Sequence, residues 1–369
     1  MKIFIIIGTR PEIVRLAQVI KRCKKYFDTK LVHTGQNYDY QLNDVFFQDL
    51  DLAAPDFYLG ISGNAGEIVG KVIETTYNLF VEHSPDCVIV LGDTNSCLAA
   101  YSAKRLKIPI VHLEAGNRAF DPNVPEEINR RIIDHISDIN VCYMEHARRN
   151  LLLENVKPQY LFVCGSPIPE VHFFLKNKIT QSTVLERLDL NKDDYFVWSV
   201  HREDNVDVER NFKNMVECIK NIVHKYKKKV IFGAHPRTQN KIKEYNVSFP
   251  PEVHITEPFG IIDYCQLMKN SLCTISDSGT LTEESNLLPC RGILYRYSTE
   301  HPEGVDNGNI ILSNISWKDL ESSLKIALEE PIQTNLCEAY QNIDFSQKVL
   351  KIICSYPSIV NKFNWLKDL

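Results

Sequence analysis

The sequence predicts an α/β fold made of two Rossmann-like, doubly wound domains. At 369 residues the chain exceeds the size at which one hydrophobic core usually suffices, so two domains of roughly 150 to 200 residues are expected. Short apolar runs alternate with amphipathic stretches, and the second half repeats the pattern of the first. Apolar strands that alternate with helices indicate parallel sheets covered by helices on both faces.

The first half contains six predicted strands joined by amphipathic helices. The strands are residues 2–7, 29–33, 87–91, 108–112, 139–143 and 160–163. Residues 11–27 and 65–81 lie between them and carry apolar side chains at helical spacing, which predicts two helices.

The second half repeats this alternation. Its predicted strands are residues 195–200, 230–234, 253–256, 273–275, 292–295 and 310–312. Residues 211–226 and 317–328 are its clearest helices. We expect the two domains to face each other, with a hinge near residues 165–169.

Composition excludes several classes of protein. A net charge of −5 and a pI near 6.1 provide no basic surface for nucleic acid. No apolar stretch is long enough to span a bilayer, and the short apolar N-terminus is typical of a buried strand rather than a signal peptide. The eleven cysteines are scattered without a Cys-x-x-Cys pair. This pattern favours buried thiols in a reducing cytoplasm.

Seven predicted strands end in small or ionisable residues. In parallel sheets ligands bind at these carboxyl ends, so we expect the seven segments to line one crevice. A helix cap is the alternative interpretation of each segment taken alone. The segments are Gly8-Thr-Arg10, His33-Thr-Gly35, Gly92-Asp-Thr94, His112-Leu-Glu114, His201-Arg-Glu203, His235-Pro-Arg237 and Ser276-Asp-Ser-Gly279.

The segment around Ser278 and Gly279 predicts a phosphate site at a helix N-terminus, and an acid one turn later, Glu283 or Glu284, suits ribose hydroxyls. The sequence lacks a Walker loop and a Gly-x-Gly-x-x-Gly turn, and its histidines are dispersed. We therefore expect no nucleotide cofactor and no metal. Arg10 and Arg15 could hold a diphosphate, although Arg15 alone could be a solvated helix residue.

Without a cofactor or a metal, we expect carboxylates to act as the acids and bases of the reaction. Asp93, Glu114 and Glu126 come from three strand-end loops, and carboxylates that share a cleft shift one another's pKa. His201 adds a group that titrates near neutral pH, although a structural role is an equal alternative. Glu126 could instead cap its helix, and Glu114 could instead pair with Arg118.

These residues fall within eight sequence blocks that occur in order from residue 1 to about residue 309. The blocks are Gly8-Thr-Arg-Pro-Glu12, His33-Thr-Gly-Gln36, Gly92-Asp-Thr94, His112-Leu-Glu-Ala-Gly116, Pro125-Glu-Glu-Ile-Asn-Arg130, His201-Arg202, Asp277-Ser-Gly279 with Glu283-Glu284, and Thr299-Glu-His-Pro-Glu303. Together they resemble the non-hydrolysing UDP-N-acetylglucosamine 2-epimerases.

The resemblance implies a glycosyltransferase-B-type architecture, a UDP-sugar substrate and a homodimer. It implies an N-terminal domain over residues 1–168, a UDP-binding domain over 169–353 and a C-terminal helix, within 354–369, that crosses back to the first domain. The implied reaction eliminates UDP to give a 2-acetamidoglycal and then adds UDP back, with C2 reprotonated from the opposite face.

The resemblance also assigns roles residue by residue. Asp93, Glu114 and Glu126 match the family's catalytic carboxylates, and His201 is assigned with them. The substrate-binding positions are Arg10, Arg15, Asn129, Arg130, Arg202, Tyr264, Ser278, Gly279, Glu284 and Arg296.

Departures from the family pattern indicate a branch. Arg15 replaces a lysine, Asn117 a leucine, Thr280 a glycine and His301 an arginine. With residues 33–47 and the short loop before Pro125, these changes resemble the branch that makes UDP-N-acetyl-L-fucosamine from UDP-2-acetamido-2,6-dideoxy-L-talose for capsule or O-antigen sugars. The alternatives are UDP-N-acetylglucosamine as substrate, a hydrolysing 2-epimerase, a glycosyltransferase of the same architecture and an inactive nucleotide-sugar sensor.

Overall fold

A computed structural model describes residues 1–35 and 40–367, without the side chains of residues 40–44. The chain forms two compact units, Met1–Phe174 with Gln341–Leu369, and Leu175–Tyr340. Part of the stretch 33–47 that carries the branch resemblance lies outside the described residues.

The first unit is built on a seven-stranded sheet in which every strand pair is parallel. Its strand order is β3-β2-β1-β4-β5-β6-β7. The strands are β1 (Lys2–Ile7), β2 (Asp28–His33), β3 (Phe57–Tyr58), β4 (Cys87–Leu91), β5 (Ile110–Leu113), β6 (Ile139–Cys142) and β7 (Leu161–Val163). The central strands β1 and β4 are almost completely buried, as expected for a sheet with helices on both faces.

Helices of the first unit connect these strands. They are α1 (Arg10–Tyr26), α2 (Tyr40–Asp49), α3 (Ala65–His83), α4 (Ala99–Arg105), α5 (Pro125–Ile136) and α6 (Glu145–Leu153). A 3₁₀ turn, Asn95–Leu98, precedes α4. The next helix, α7 (Ile168–Thr180), carries the chain into the second unit.

The second unit has a six-stranded sheet, also parallel throughout, in the order β10-β9-β8-β11-β12-β13. Its strands are β8 (Tyr195–Ser199), β9 (Lys229–Gly233), β10 (Val253–Thr256), β11 (Cys273–Ser276), β12 (Gly292–Tyr295) and β13 (Ile310–Ser313). Its helices are α8 (Val184–Arg187), α9 (Glu203–Val206), α10 (Glu209–Tyr226), α11 (Pro236–Glu244), α12 (Ile261–Asn270), α13 (Thr280–Leu287), α14 (Pro302–Asp306) and α15 (Trp317–Glu329).

The predicted fold class, two parallel-sheet Rossmann-like domains, is confirmed. All twelve predicted strands are present with ends shifted by at most two residues, and within residues 1–35 and 40–367 the strand that the sequence analysis missed is β3. Each sheet reverses its strand order once, between β1 and β4 and between β8 and β11. In open α/β sheets these switch points are where ligands bind.

The last helix, α16 (Phe345–Phe363), packs against α1 within the first unit. It begins at Phe345, upstream of the predicted segment, and it contains Pro357 in its interior. Ser346 joins its first turn to α7, because its backbone N–H and its hydroxyl both donate to the Glu170 carboxylate at 2.8 and 2.6 Å.

The cysteines follow the expected pattern. Nine of the eleven thiols are buried and all eleven are free. Burial raises the pKa of Cys23 and Cys273 to about 12, so these thiols stay protonated and unreactive. Among the described residues, no helix has the length and apolarity needed to cross a bilayer.

Candidate active site

The switch point of the first unit lies where β1 and β4 end. Gly8 follows β1, and a Cβ at this position would lie 2.5 Å from the Thr34 hydroxyl and 2.8 Å from the Ser96 hydroxyl. Only glycine lets these segments approach so closely. The α1 helix then begins with Arg10, whose guanidinium lies 5.7 Å from the centre of the Phe46 ring.

Asp93 leaves the end of β4 and is held by α5. Its carboxylate forms an ion pair with Arg130 Nη2 at 2.6 Å. Its backbone carbonyl accepts a hydrogen bond from Asn129 Nδ2 at 2.8 Å. Arg130 is buried and also donates to Glu127 at 2.9 Å. Asn129 and Arg130, which the sequence assigned to substrate binding, therefore both contact Asp93 in this structure.

Glu114 follows β5 and has a left-handed backbone, with φ of 65°. That conformation is uncommon for a residue with a side chain. Its carboxylate pairs with Arg15 Nη1 at 2.7 Å and accepts from Asn117 Nδ2 at 3.3 Å. Arg15 is 4% exposed, so it is a buried ion-pair partner and not a solvated helix residue.

Arg118, the alternative partner considered for Glu114, forms other ion pairs. It donates to Asp134 at 2.7 Å and pairs with Glu154 at 2.6 Å. Asp134 also lies 3.0 Å from Nδ1 of His112, whose Nε2 lies 2.8 Å from the carbonyl oxygen of Gly92. Burial raises the pKa of Asp134, but His112 and Arg118 outweigh burial and lower it below its ordinary value. An ionised Asp134 thus supports the loops that carry Asp93 and Glu114.

Glu126 is the second residue of α5, directly after Pro125. Proline fits the first turn of a helix because its missing N–H has no intrahelical acceptor there. The Glu126 side chain is partly exposed, and its place in the first turn lets the helix dipole stabilise its anionic form.

In the second unit Asp277 bridges the β8–β11 switch point. Its Oδ2 accepts hydrogen bonds from the backbone N–H groups of His201 and Arg202 at 2.9 and 2.8 Å, and from Asn205 Nδ2 at 2.9 Å. The His201 ring is exposed, stacks on the His235 ring and has Nδ1 3.8 Å from Asp277 Oδ1. A fixed backbone therefore carries an accessible imidazole.

Ser278, Gly279 and Thr280 form the turn into α13. The Ser278 and Thr280 hydroxyls are 2.9 Å apart, and Thr280 donates to Glu284 at 3.4 Å. A Cβ on Gly279 would lie 2.7 Å from Glu300 Oε1, so close packing explains the glycine. Hydroxyls and helix N–H groups make this turn suitable for an anion.

The remaining assigned residues of the second unit occupy different surroundings. Tyr264 lies beside Ser199 and Ser276 at the ends of β8 and β11, and burial raises its pKa. Arg296 is buried and pairs with Glu300, which Arg202 also contacts at 3.3 Å. Arg202 and Arg296 are thus linked through one carboxylate.

Comparison with known proteins decides the family. A model of the family described as UDP-N-acetylglucosamine 2-epimerase matches residues 21–354. The chain belongs to this family. A UDP-N-acetylglucosamine 2-epimerase of Methanocaldococcus jannaschii is 37% identical over 365 residues, which cover 96% of this chain and 99% of the relative. Since the family consists of isomerases, the protein is an epimerase.

Two solved structures of UDP-N-acetylglucosamine 2-epimerases are similar over nearly the whole chain. The enzyme from Rickettsia bellii has a TM-score of 0.92 and 38% identity and covers 100% of both chains. The enzyme from M. jannaschii in complex with UDP-GlcNAc and UDP has a TM-score of 0.90 and 36% identity, and the match covers 96% of this chain and 99% of that one.

Several residues beside the candidate site of this epimerase were missed by sequence reasoning. They are Glu12, Glu127, Asp134 and Glu300, all of them buried carboxylates. Glu12 had a sequence signal, because Thr9 and Glu12 have the spacing of a helix capping box. The partners of Asp134, His112 and Arg118, lie on separate segments, so the sequence pattern carries no sign of them. Glu127 and Glu300 each pair with an arginine three or four residues away, Arg130 and Arg296, but that spacing alone does not mark a buried ion pair.

Proposed function

We propose that this epimerase inverts C2 of a UDP-N-acetylhexosamine without net hydrolysis. A base removes the C2 proton, the electron pair forms the C1–C2 double bond, and the C1–O bond breaks to release UDP and a 2-acetamidoglycal. UDP then adds to C1 through its phosphate oxygen while C2 gains a proton on the opposite face. No oxidant, reductant or water is consumed.

The observation that carries this proposal is the pair of arginine-held carboxylates on adjacent strands. Asp93 is paired with Arg130, and Glu114 with Arg15. The two lie close together, because the Cβ position of Gly92, next to Asp93, is 3.9 Å from Glu114 Oε2. With Glu126 as a third acid, the first unit supplies groups for removing a proton and for returning it.

We propose that UDP is held by polar and cationic groups at strand ends. Arg10 offsets the charge that develops on the departing diphosphate. His201, Ser278 and Gly279 contact the UDP phosphates, and Glu284 contacts the ribose. Binding of a UDP-sugar is supported by the M. jannaschii relative, whose structure is a complex with UDP-GlcNAc and UDP.

For the sugar we propose UDP-2-acetamido-2,6-dideoxy-L-talose, converted to UDP-N-acetyl-L-fucosamine. The support is the branch resemblance together with Asn117, which is buried and donates to Glu114 Oε1. This places an amide, where the family pattern has leucine, against a candidate catalytic carboxylate. UDP-N-acetylglucosamine is the second candidate, because the name of the M. jannaschii relative favours it.

The test is incubation with each UDP-sugar in deuterated water, followed by proton NMR. We expect faster epimerisation of the 6-deoxy-L-sugar, deuterium at C2 of the product and no accumulation of UDP with free sugar. Equal or better kcat/KM with UDP-N-acetylglucosamine would refute the L-sugar assignment and leave the mechanism standing. Net release of free sugar would identify a hydrolysing enzyme, and a need for an acceptor would identify a transferase.

A matched pair of variants sharpens the sugar assignment. Asn117→Leu should lower the ratio of kcat/KM for the L-sugar to kcat/KM for UDP-N-acetylglucosamine, because it removes the amide that contacts Glu114. Asn123→Leu is the control, since Asn123 is exposed and its hydrogen bonds to described residues stay within its turn, to Asp121. Identical kcat/KM ratios in both variants would show that Asn117 has no part in sugar selection.

We also propose that the enzyme is a homodimer, as the family resemblance implies. Sedimentation equilibrium should then give about twice the chain mass of 42.5 kDa. A single species with the mass of one chain would contradict this assignment.

A further inference from the structure

The carboxylate of Glu12 lies at the β1–β4 switch point and is 1% exposed. One of its oxygens, Oε2, binds the turn that begins α1. This oxygen accepts hydrogen bonds from Gly8 N at 2.8 Å, Thr9 N at 2.7 Å and Thr9 Oγ1 at 2.9 Å. The turn that precedes Arg10 is therefore fixed by Glu12.

The other oxygen, Oε1, reaches the turn that follows β4, more than 80 residues later in the chain. It accepts from Thr94 Oγ1 at 2.9 Å and Ser96 Oγ at 2.8 Å, and Cys97 Sγ lies 3.8 Å away. Asp93 directly precedes this turn. A single carboxylate therefore joins the segments that carry Arg10 and Asp93.

Helix capping accounts for only half of these contacts. Glu67 has the same position in α3, where it caps the helix by accepting from Asn64 N at 3.2 Å. Glu67 is exposed, and among the described residues it makes no such contact with the end of another strand. The Oε1 contacts of Glu12 are thus additional to its role as a cap.

The burial of Glu12 is costly for a purely structural residue. Burial raises the pKa of Glu12, and the hydrogen bonds from Ser96, Gly8, Thr9 and Thr94 only partly oppose this effect. Removing a carboxylate from water is unfavourable, and an apolar side chain often stabilises a fold at least as well. A role in fixing geometry explains why a carboxylate occupies this position.

We propose that Glu12 is a positioning residue for the epimerase reaction, holding the Arg10 turn and the Asp93 turn in register across the switch point. The inference rests on the proposed function, because it takes Arg10 as a diphosphate contact and Asp93 as an acid–base group. Displacement of a reacting group by about 1 Å can cost a factor of about 100 in rate, so even small slippage between the turns would be measurable.

Two substitutions distinguish the helix-capping bonds of Glu12, made to Gly8 and Thr9, from its bonds to Thr94 and Ser96 in the turn after β4. Glu12→Asp retains the charge and can still cap α1, but it is one methylene too short to reach Thr94 and Ser96 as well. Glu12→Gln retains the length, and its amide can accept from Gly8 and Thr9 while it donates to the hydroxyls of Thr94 and Ser96. Glu67→Asp and Glu67→Gln are the matched controls, because Glu67 caps α3 and, among the described residues, does not bond to the end of another strand.

We expect Glu12→Asp to lower kcat by about tenfold or more, because Asp93 is displaced. Its KM and UDP affinity should change much less, because the Arg10 turn keeps its cap. Glu12→Gln should restore most of the turnover, and the Glu67 variants should match the wild type. Amide hydrogen exchange should accelerate in residues 94–98 of Glu12→Asp and in neither Glu67 variant.

The proposal is overturned if Glu12→Asp turns over at the wild-type rate, or if its loss is no larger than that of Glu67→Asp. Equal losses in Glu12→Gln and Glu12→Asp would also overturn it, since length would then be irrelevant. Hydrogen exchange requires no catalysis. If the wild type epimerises no UDP-sugar, the exchange data still test the link, so failure of the proposed function and failure of this inference are distinguishable.

Discussion

The two sheets have equivalent switch points, and each is bridged by a buried carboxylate. In the first unit Glu12, from the helix after β1, reaches the turn after β4. In the second unit Asp277, from the turn after β11, reaches back to the N–H groups of His201 and Arg202 after β8. In both units, therefore, a buried carboxylate connects two loops that diverge from adjacent strands.

The groups beside the two bridges differ. In the first unit they are carboxylates paired with buried arginines, such as Glu114 with Arg15 and Asp93 with Arg130. In the second unit they are the hydroxyls of Ser278 and Thr280 and the accessible ring of His201. The first arrangement suits proton transfer at a sugar carbon, and the second suits hydrogen bonding to a nucleotide. This division is what the following predictions test.

The largest effect is expected for the candidate acids of the first unit. Glu114→Gln and Glu126→Gln should each lower kcat by about a hundredfold or more, as expected for a lost acid–base group, while UDP affinity stays nearly unchanged. Steady-state kinetics and UDP titration measure the two quantities. Glu145→Gln, in the first turn of α6, is the control. Turnover near the wild-type rate in either variant would make that carboxylate structural.

A smaller loss is expected for the cation at the start of α1. Arg10→Ala should lower kcat/KM by about tenfold to a hundredfold, because the cation offsets charge on the departing diphosphate. Arg148→Ala, in which an exposed pair with Glu145 is lost, provides the comparison. If the two alanine variants behave alike, Arg10 has no contact with the diphosphate.

In the second unit the substitution Asp277→Asn should act on binding. The asparagine oxygen can still accept from the N–H groups of His201 and Arg202, but the charge beside the His201 ring is lost. We expect UDP affinity to fall by about tenfold, the loss typical of one charged hydrogen bond, with a smaller change in kcat. Asp263→Asn, at a surface pair with Arg187, is the control. A kcat loss without an affinity loss would contradict the division between the units.

The smallest effect on turnover is expected for substitution of His301, because this residue contributes to the free energy of unfolding rather than to the reaction. Burial lowers its pKa, but Glu303, Glu300 and Glu283 outweigh burial and raise the pKa to about 9, above the ordinary 6.5. Its contribution is therefore fully present below about pH 6.5 and is lost as pH rises through about 9. Wild-type unfolding free energy should fall by about 1–3 kcal/mol across this range.

Thermal unfolding at pH 6 and pH 10 measures the contribution of His301. His301→Asn should show a smaller difference between the two pH values than the wild type, because asparagine does not titrate. His224→Asn, on the exposed end of α10, should behave like the wild type. A pH dependence that is identical in His301→Asn and the wild type would assign the effect to other groups.

Much of the fold was predictable because strand formation depends on local pattern. Unbroken apolar runs marked twelve strands, and the amphipathic stretches 11–27 and 65–81 coincide closely with α1 and α3. The exception, β3, comprises only Phe57 and Tyr58 at the edge of its sheet. Two residues are too few for alternation to be visible, and their pairing with β2 depends on the rest of the sheet.

The sequence by itself determined which residues stand at the strand ends, because the strands are set by apolar periodicity and the motifs follow them directly. Tertiary structure decided which of these residues meet. Arg118 lies four residues after Glu114 yet pairs with Asp134 and Glu154, while Arg15, from a distant helix, pairs with Glu114. Ion pairs depend on distances between side chains from separate elements, and strand order and backbone angles, such as the positive φ of Glu114, set those distances only in the folded chain.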